Sequence, residues 1–249
     1  MTTRPALALS ILFVACSSEA PPPPPPPPAP APLVTGGPTT IPGAAAMGVA
    51  SIAGCAGTSV DPPGGVIEAV GQLSATNREL AVTQLMAIAT QFPLSATARI
   101  RLAGVLLHAE PTRAAESTPL YLEALRLHEG GCRISENDEW ALVEGMALAF
   151  MFQNRFGEAV PWLQRGAARW PTSGSTRYNL ACSLCRTGDV AGCYREFEAT
   201  LTVASTQAPP AFLAPHARPA SHYANLSRTD PDLEPLRADP RWAALVARY

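Results

Sequence analysis

The chain contains no lysine. All eighteen of its basic residues are arginine, set against twenty carboxylates for a net charge of −2. The arginines are scattered, so no basic patch directs the chain toward nucleic acid. No Gly-rich phosphate loop, dinucleotide fingerprint or nucleophile elbow occurs. The four histidines, His108, His128, His216 and His222, show no His-x-x-x-His spacing, and Cys182-x-x-Cys185 has no second copy. Catalysis is therefore poorly supported, and no cofactor is expected. His108 ends a helical pattern and His128 precedes Gly130-Gly131, so both read as cationic partners of helix C-termini. Glu136, Asp138 and Glu139 read as a helix N-terminus, where negative charge is favourable, rather than as paired catalytic acids.

Long apolar runs are also missing. A spanning helix needs roughly 20 apolar residues. Residues 5–15 are too few, and residues 44–56 are short and interrupted by Gly48 and Gly54. Behind Arg4, residues 5–15 instead read as the core of an export signal. Phe13-Val14-Ala15-Cys16 then resembles a bacterial lipoprotein signal, although Phe13 stands where leucine or valine is usual. That resemblance implies cleavage after residue 15 and lipid on Cys16; an ordinary secreted protein cut elsewhere is the alternative. It further implies a lipid-anchored protein of the bacterial cell envelope, and Ser17 is compatible with the outer membrane of a Gram-negative host.

Residues 16–62 read as linker, since residues 20–60 carry no charge and are rich in Pro, Gly, Ala and Thr. Residues 21–28 are eight consecutive prolines, extended by Ala29-Pro30-Ala31-Pro32. Proline fixes φ and lacks an N–H, so this run forms polyproline II, a stiff post of roughly 35 Å at ~3.1 Å per residue. No basic residue flanks it, which favours a spacer over a ligand for an aromatic groove.

Residues 63–206 are a succession of helical patterns. Leu80-Ala81-Val82-Thr83-Gln84-Leu85 leads to Phe92-Pro93, and Glu158-Ala159-Val160-Pro161-Trp162-Leu163 leads to Trp170-Pro171. In each, a small alanine precedes a leucine by four residues and a proline by twelve. Small residues let two helices approach, leucine fills the groove, and proline stops the helix. The pattern resembles the tetratricopeptide repeat, a 34-residue helix-turn-helix unit. Met146, Ala147, Phe150, Ala159, Leu163 and Pro171 occupy its signature positions, and Leu180, Ala181, Leu184, Cys193, Phe197 and Thr200 follow one unit later, with Gly188-Asp189 as the turn. Leu102-Ala103 and Leu106, then Ser117, Tyr121 and Ala124, suggest a unit upstream with extra residues near Pro111. Residues 130–137 form an insertion. Residues 66–75 and 77–92 read as a degenerate first unit.

The expected fold is an all-α, TPR-like α-solenoid of three to four hairpins behind a disordered N-terminal region. Residues 207–249 form its cap: a loop over 207–221, then Asp230-Pro231 and Asp239-Pro240, each announcing a short helix.

The resemblance implies a concave groove lined by Ile100, Gly104, Leu107, Glu144, Leu148, Met151, Tyr178, Cys182 and Cys185, a mostly apolar surface for a hydrophobic peptide or helix, unless the cap fills it. Five cysteines remain after Cys16, and an oxidising compartment permits disulfides. Cys193 can pair with Cys185 or Cys182, and Cys132 with Cys55. An odd count leaves at least one thiol outside an internal pair. The expected function is a non-catalytic scaffold for a protein or peptide partner; the alternative is a thiol-based redox or metal protein using Cys182, Cys185 and Cys193.

Overall fold

The computed structural model describes residues 52–55, 60–108 and 113–249. The signal, Cys16, the proline run and the turn around Pro111 lie outside these residues. Among the described residues there are eleven α-helices and no strand. Four hairpins follow one another: α1 (Val66–Leu73) with α2 (Arg78–Gln91), α3 (Ala96–Leu107) with α4 (Ala114–Glu129), α5 (Glu136–Phe152) with α6 (Phe156–Arg169), and α7 (Gly174–Arg186) with α8 (Val190–Thr206). Each second helix packs on the first helix of the next hairpin, and α3 also touches α1 and α5. The fold is a TPR-like helical repeat.

Local chemistry sets the boundaries. Ser95, Ser135 and Ser173 cap α3, α5 and α7, each accepting the backbone N–H three residues ahead. Phe92 and Trp170 close α2 and α6 directly before Pro93 and Pro171, which cannot continue a helix. The turns inside the last two hairpins are the same Schellman motif translated by one repeat. After α5, Asn154 N–H reaches Met151 O and Arg155 N–H reaches Phe150 O. After α7, Gly188 N–H reaches Cys185 O and Asp189 N–H reaches Leu184 O. The pivot needs a left-handed backbone, met by Asn154 at φ 59° and Gly188 at φ 88°.

The small positions act as sequence spacing suggests. Ala81, Ala103, Ala124, Ala147, Ala159, Ala181 and Cys193 are all fully buried. Tyr121 of α4 reaches toward α3 and α5, its hydroxyl beside Gly104 and Gly145, and a side chain on Gly145 would overlap the Tyr121 ring.

After α8 comes a loop holding a 3₁₀ turn at Ala214–His216, and then α9 (Ala220–Leu226), which takes in the last two residues of the loop expected from the sequence. Asp230 caps a second 3₁₀ turn, Pro231–Leu233, which leads into α10 (Glu234–Arg237). Asp239 caps α11 (Pro240–Val246). Leu233, Leu236, Leu245 and Val246 are buried in the main core. The Arg241 guanidinium lies 4.0 Å from the Tyr194 ring centroid, tying α11 to α8.

Candidate interaction surface

The concave face is built by the first helix of each hairpin, and its carboxyl-terminal half is occupied by the chain itself. Of the nine residues expected to line an open groove, Ile100, Leu107, Glu144, Leu148, Met151, Tyr178, Cys182 and Cys185 are at most 3 % exposed, and Gly104 is half-buried. The expectation of an accessible apolar groove is corrected accordingly. Burying that much apolar surface inside the chain is more favourable than leaving it to water.

Over α5 and α7 the cover is the segment after α8. Leu213 is buried with Trp140, Val143 and Trp170, and Phe212 packs against that group. The His216 ring stacks on Trp140 with centroids 4.7 Å apart. Tyr223 lies 5.4 Å from the Tyr178 ring, and the Tyr178 hydroxyl donates to Asp230 Oδ2 at 2.8 Å. Burial pushes the Asp230 carboxyl up, partly offset by that hydrogen bond. Arg186 pairs with Asp232 at 2.9 Å, and Arg237 Nη1 donates to the carbonyls of Ser227 and Asp230.

Beneath this cover sits a polar network that sequence reading did not anticipate. Glu144 Oε2 accepts from Thr176 Oγ1 at 2.7 Å, and Oε1 accepts from Asn179 Nδ2 at 2.6 Å. Burial pushes the Glu144 carboxyl up to about 7 despite both hydrogen bonds. The signal available in the sequence was one carboxylate inside the otherwise apolar stretch from Trp140 to Phe152.

Among the described residues, the amino-terminal half of the face is open and polar. A cleft of about 530 Å³ is lined by Asp61 and Glu68, by Thr97 and Arg101 of α3, and by the approach to α5 from Arg133 to Asp138. Arg101 pairs with Asp138 at 2.7 Å, and Ser135 Oγ donates to Asp138 Oδ2 at 2.8 Å. Glu68 and Arg133 enter no ion pair among the described residues. The acidic run Glu136, Asp138 and Glu139 lies in the first turn of α5, as expected.

The five described cysteines divide into two disulfides and one thiol. Cys55 is bonded to Cys132 and Cys185 to Cys193. Cys182 keeps its thiol, buried, with Sγ 3.8 Å from Asp230 Oδ2. The Cys182, Cys185 and Cys193 ligand set of the redox or metal alternative is therefore split. Cys182, Asp230 and Asp232 do offer one atom each within 4.8 Å. Their oxygens are committed, however, to Tyr178, to the Asp232 N–H and to Arg186. The reading of His108 as a cationic dipole partner is also corrected. It caps α3, but burial and nearby Arg78 push its imidazole down to about 4, so it is neutral at pH 7. His128 sits in the last turn of α4, with Nδ1 3.3 Å from Cys132 O.

This geometry defines a helical-repeat protein with a partly self-filled concave face. No protein-family model matches the chain, and no curated protein does. Among solved structures, a MamA RS-1 ArsTM double mutant aligns at 11% identity and TM-score 0.51, covering 74% of this chain and 92% of that one. YrrB, described as a TPR protein with an unusual peptide-binding site, aligns at 16% identity and TM-score 0.46, covering 74% and 90%. At such identities the likeness is one of fold.

Proposed function

We propose that this chain is a bacterial envelope protein, held by lipid on Cys16, whose TPR-like repeats form a non-catalytic scaffold for a protein or peptide partner. The open polar cleft carries the reading. Four stacked hairpins present a concave face, and the half not filled by the chain's own cap is a cleft of about 530 Å³. In the filled half the buried Glu144 carboxyl is bonded to Thr176 and Asn179, whereas Glu68 and Arg133 at the cleft enter no ion pair among the described residues. A partner presenting both signs of charge would complement them, with specificity drawn from register more than from raw affinity. The proline post then spaces this face from the headgroups.

The test is site-specific photocrosslinking from Asn137 in native envelopes. One partner should be captured by the unmodified chain and lost with Arg133→Glu. Capture unaffected by that reversal would remove the cleft from the mechanism. Separately, Cys16→Ala should move the protein from the membrane to the soluble fraction. Retention on the membrane would refute the lipid anchor while leaving the scaffold standing.

A further inference from the structure

The cleft in the open half of the concave face is polarised from wall to wall. On the side of α1 its lining is acidic, with Asp61 just before the helix and Glu68 in its first turn. On the side of α5 it carries the exposed Arg133 and, in the first turn of that helix, Asn137. The floor between them is self-neutral: Arg101 of α3 pairs with Asp138, whose carboxylate also accepts from Ser135 and Thr97. The Glu68 carboxylate, the Arg133 guanidinium and the Asn137 amide enter no hydrogen bond or ion pair among the described residues.

Both walls are pinned. Cys132, directly before Arg133, is bonded to Cys55, and the Ile52 N–H donates to Gly130 O at 2.9 Å. On the other side Asp61 accepts from Ser95, the N-cap of α3. Groups held in place beforehand lose less freedom when a ligand arrives.

We propose that the cleft takes an extended peptide segment of the partner, in which a basic residue and an acidic residue are adjacent in sequence. The basic side chain faces Glu68 and the acidic one faces Arg133. This assignment rests on the scaffold reading and adds the form of its partner. Each hairpin reverses the chain twice, so α1, α3 and α5 run the same way, and the cleft residues all lie at or before their first two turns. Glu68 and Arg133 therefore oppose each other across the cleft at a similar level. α3 touches both α1 and α5, and packed helix axes lie roughly 8–10 Å apart, so α1 and α5 are about 16–20 Å apart. Each helix fills about 5 Å of that span on its inner side, which leaves roughly 6–10 Å. A helix of ~10–12 Å with its side chains is too thick for this space, whereas a single extended strand enters it. Successive side chains of a strand point to opposite sides, so neighbouring residues meet opposite walls. The Asn137 amide offers a donor and an acceptor to the main chain between them.

The experiment is an NMR titration of the full-length protein, read at the side-chain N–H groups of Arg133 and Asn137. The probe is acetyl-Ser-Ser-Lys-Glu-Ser-Ser-amide, and the control, acetyl-Ser-Lys-Ser-Glu-Ser-Ser-amide, moves the two charges one residue apart. Adjacent charges should bind at least about threefold tighter, a modest ratio because the pairs are exposed. Arg133→Glu should weaken the probe about three- to fivefold and turn preference toward acetyl-Ser-Ser-Lys-Lys-Ser-Ser-amide. Glu68→Arg should turn it toward the Glu-Glu peptide instead. Both changes fall on exposed side chains, so the fold is retained. In a helix, residues two apart lie on nearly opposite faces, so a helical occupant favours the control. Tighter binding of the control would therefore overturn the proposal, as would no saturable shift with any peptide, or a preference that neither reversal alters. An Asn137 crosslink abolished by Arg133→Glu, together with peptides that bind alike, would leave the scaffold standing and remove the extended occupant.

Discussion

Replacing Glu144 with glutamine should make the protein less sensitive to alkali without disturbing its fold. The carboxyl is buried and its ordinary value of 4.5 is raised to about 7, chiefly because burial removes water from the charged form. In the unfolded chain the same group ionises near the ordinary value. The folded state therefore binds the extra proton between these limits. Its contribution is fully present below about pH 4.5 and is lost as pH rises through 7. The full effect is about 3 kcal/mol, at ~1.4 kcal/mol per pH unit between the two values. Roughly 2 kcal/mol of it should fall between pH 5 and pH 7. Glutamine keeps an oxygen for the Asn179 amide and presents an NH₂ toward Thr176, whose hydroxyl can turn to Ser173 at 2.8 Å. Half-buried His108, whose pKa is lowered, works in the opposite sense: stability is lost as pH falls from about 6.5 toward 4. The wild-type profile is thus a blend, and the informative quantity is the difference between variant and wild type, in which the histidine contribution cancels. Urea unfolding followed by tryptophan fluorescence at pH 5, 6, 7 and 8 supplies it. The glutamine variant should gain about 2 kcal/mol relative to wild type between pH 5 and pH 7. A difference that stays flat across that range would refute the buried-acid account.

Three further outcomes follow from the packing. Gly145→Ala should cost about 1–3 kcal/mol, because its methyl overlaps the buried Tyr121 ring, whereas Gly157→Ala meets open space within α6 and should be neutral or add up to about 1 kcal/mol; thermal melts distinguish them. Cys55→Ser with Cys132→Ser should destabilise by about 4 kcal/mol on loop-closure grounds, since that bond spans 77 residues. Removing the Cys185–Cys193 bond, with a separation of 8, should cost about 2–3 kcal/mol, and denaturant midpoints for the two double variants should keep that order.

Repeat geometry was legible because it is local. Alanine four residues before leucine, the Phe-Pro and Trp-Pro stops, and the Asp-Pro starts near residues 230 and 239 each act within one or two turns of helix, and the structure bears them out. Helix dipole charge was only half legible: Glu136 and Glu139 sit where expected, but His108 is neutral because packing buries it. Asn154 was overlooked as a turn residue although it stands one repeat before Gly188, because asparagine announces a left-handed backbone less plainly than glycine.

What the sequence by itself determined is the series of hairpins: side-chain volume recurring at a fixed spacing dictates which helices touch, whatever lies farther away. Only the tertiary structure decided what becomes of the concave face. Whether Tyr178 and Cys182 meet a partner or Asp230, some fifty residues downstream, depends on where a loop without periodicity comes to rest. That placement follows from long-range burial of Leu213 and Leu233 and from pairing of buried charge, and no local pattern encodes either.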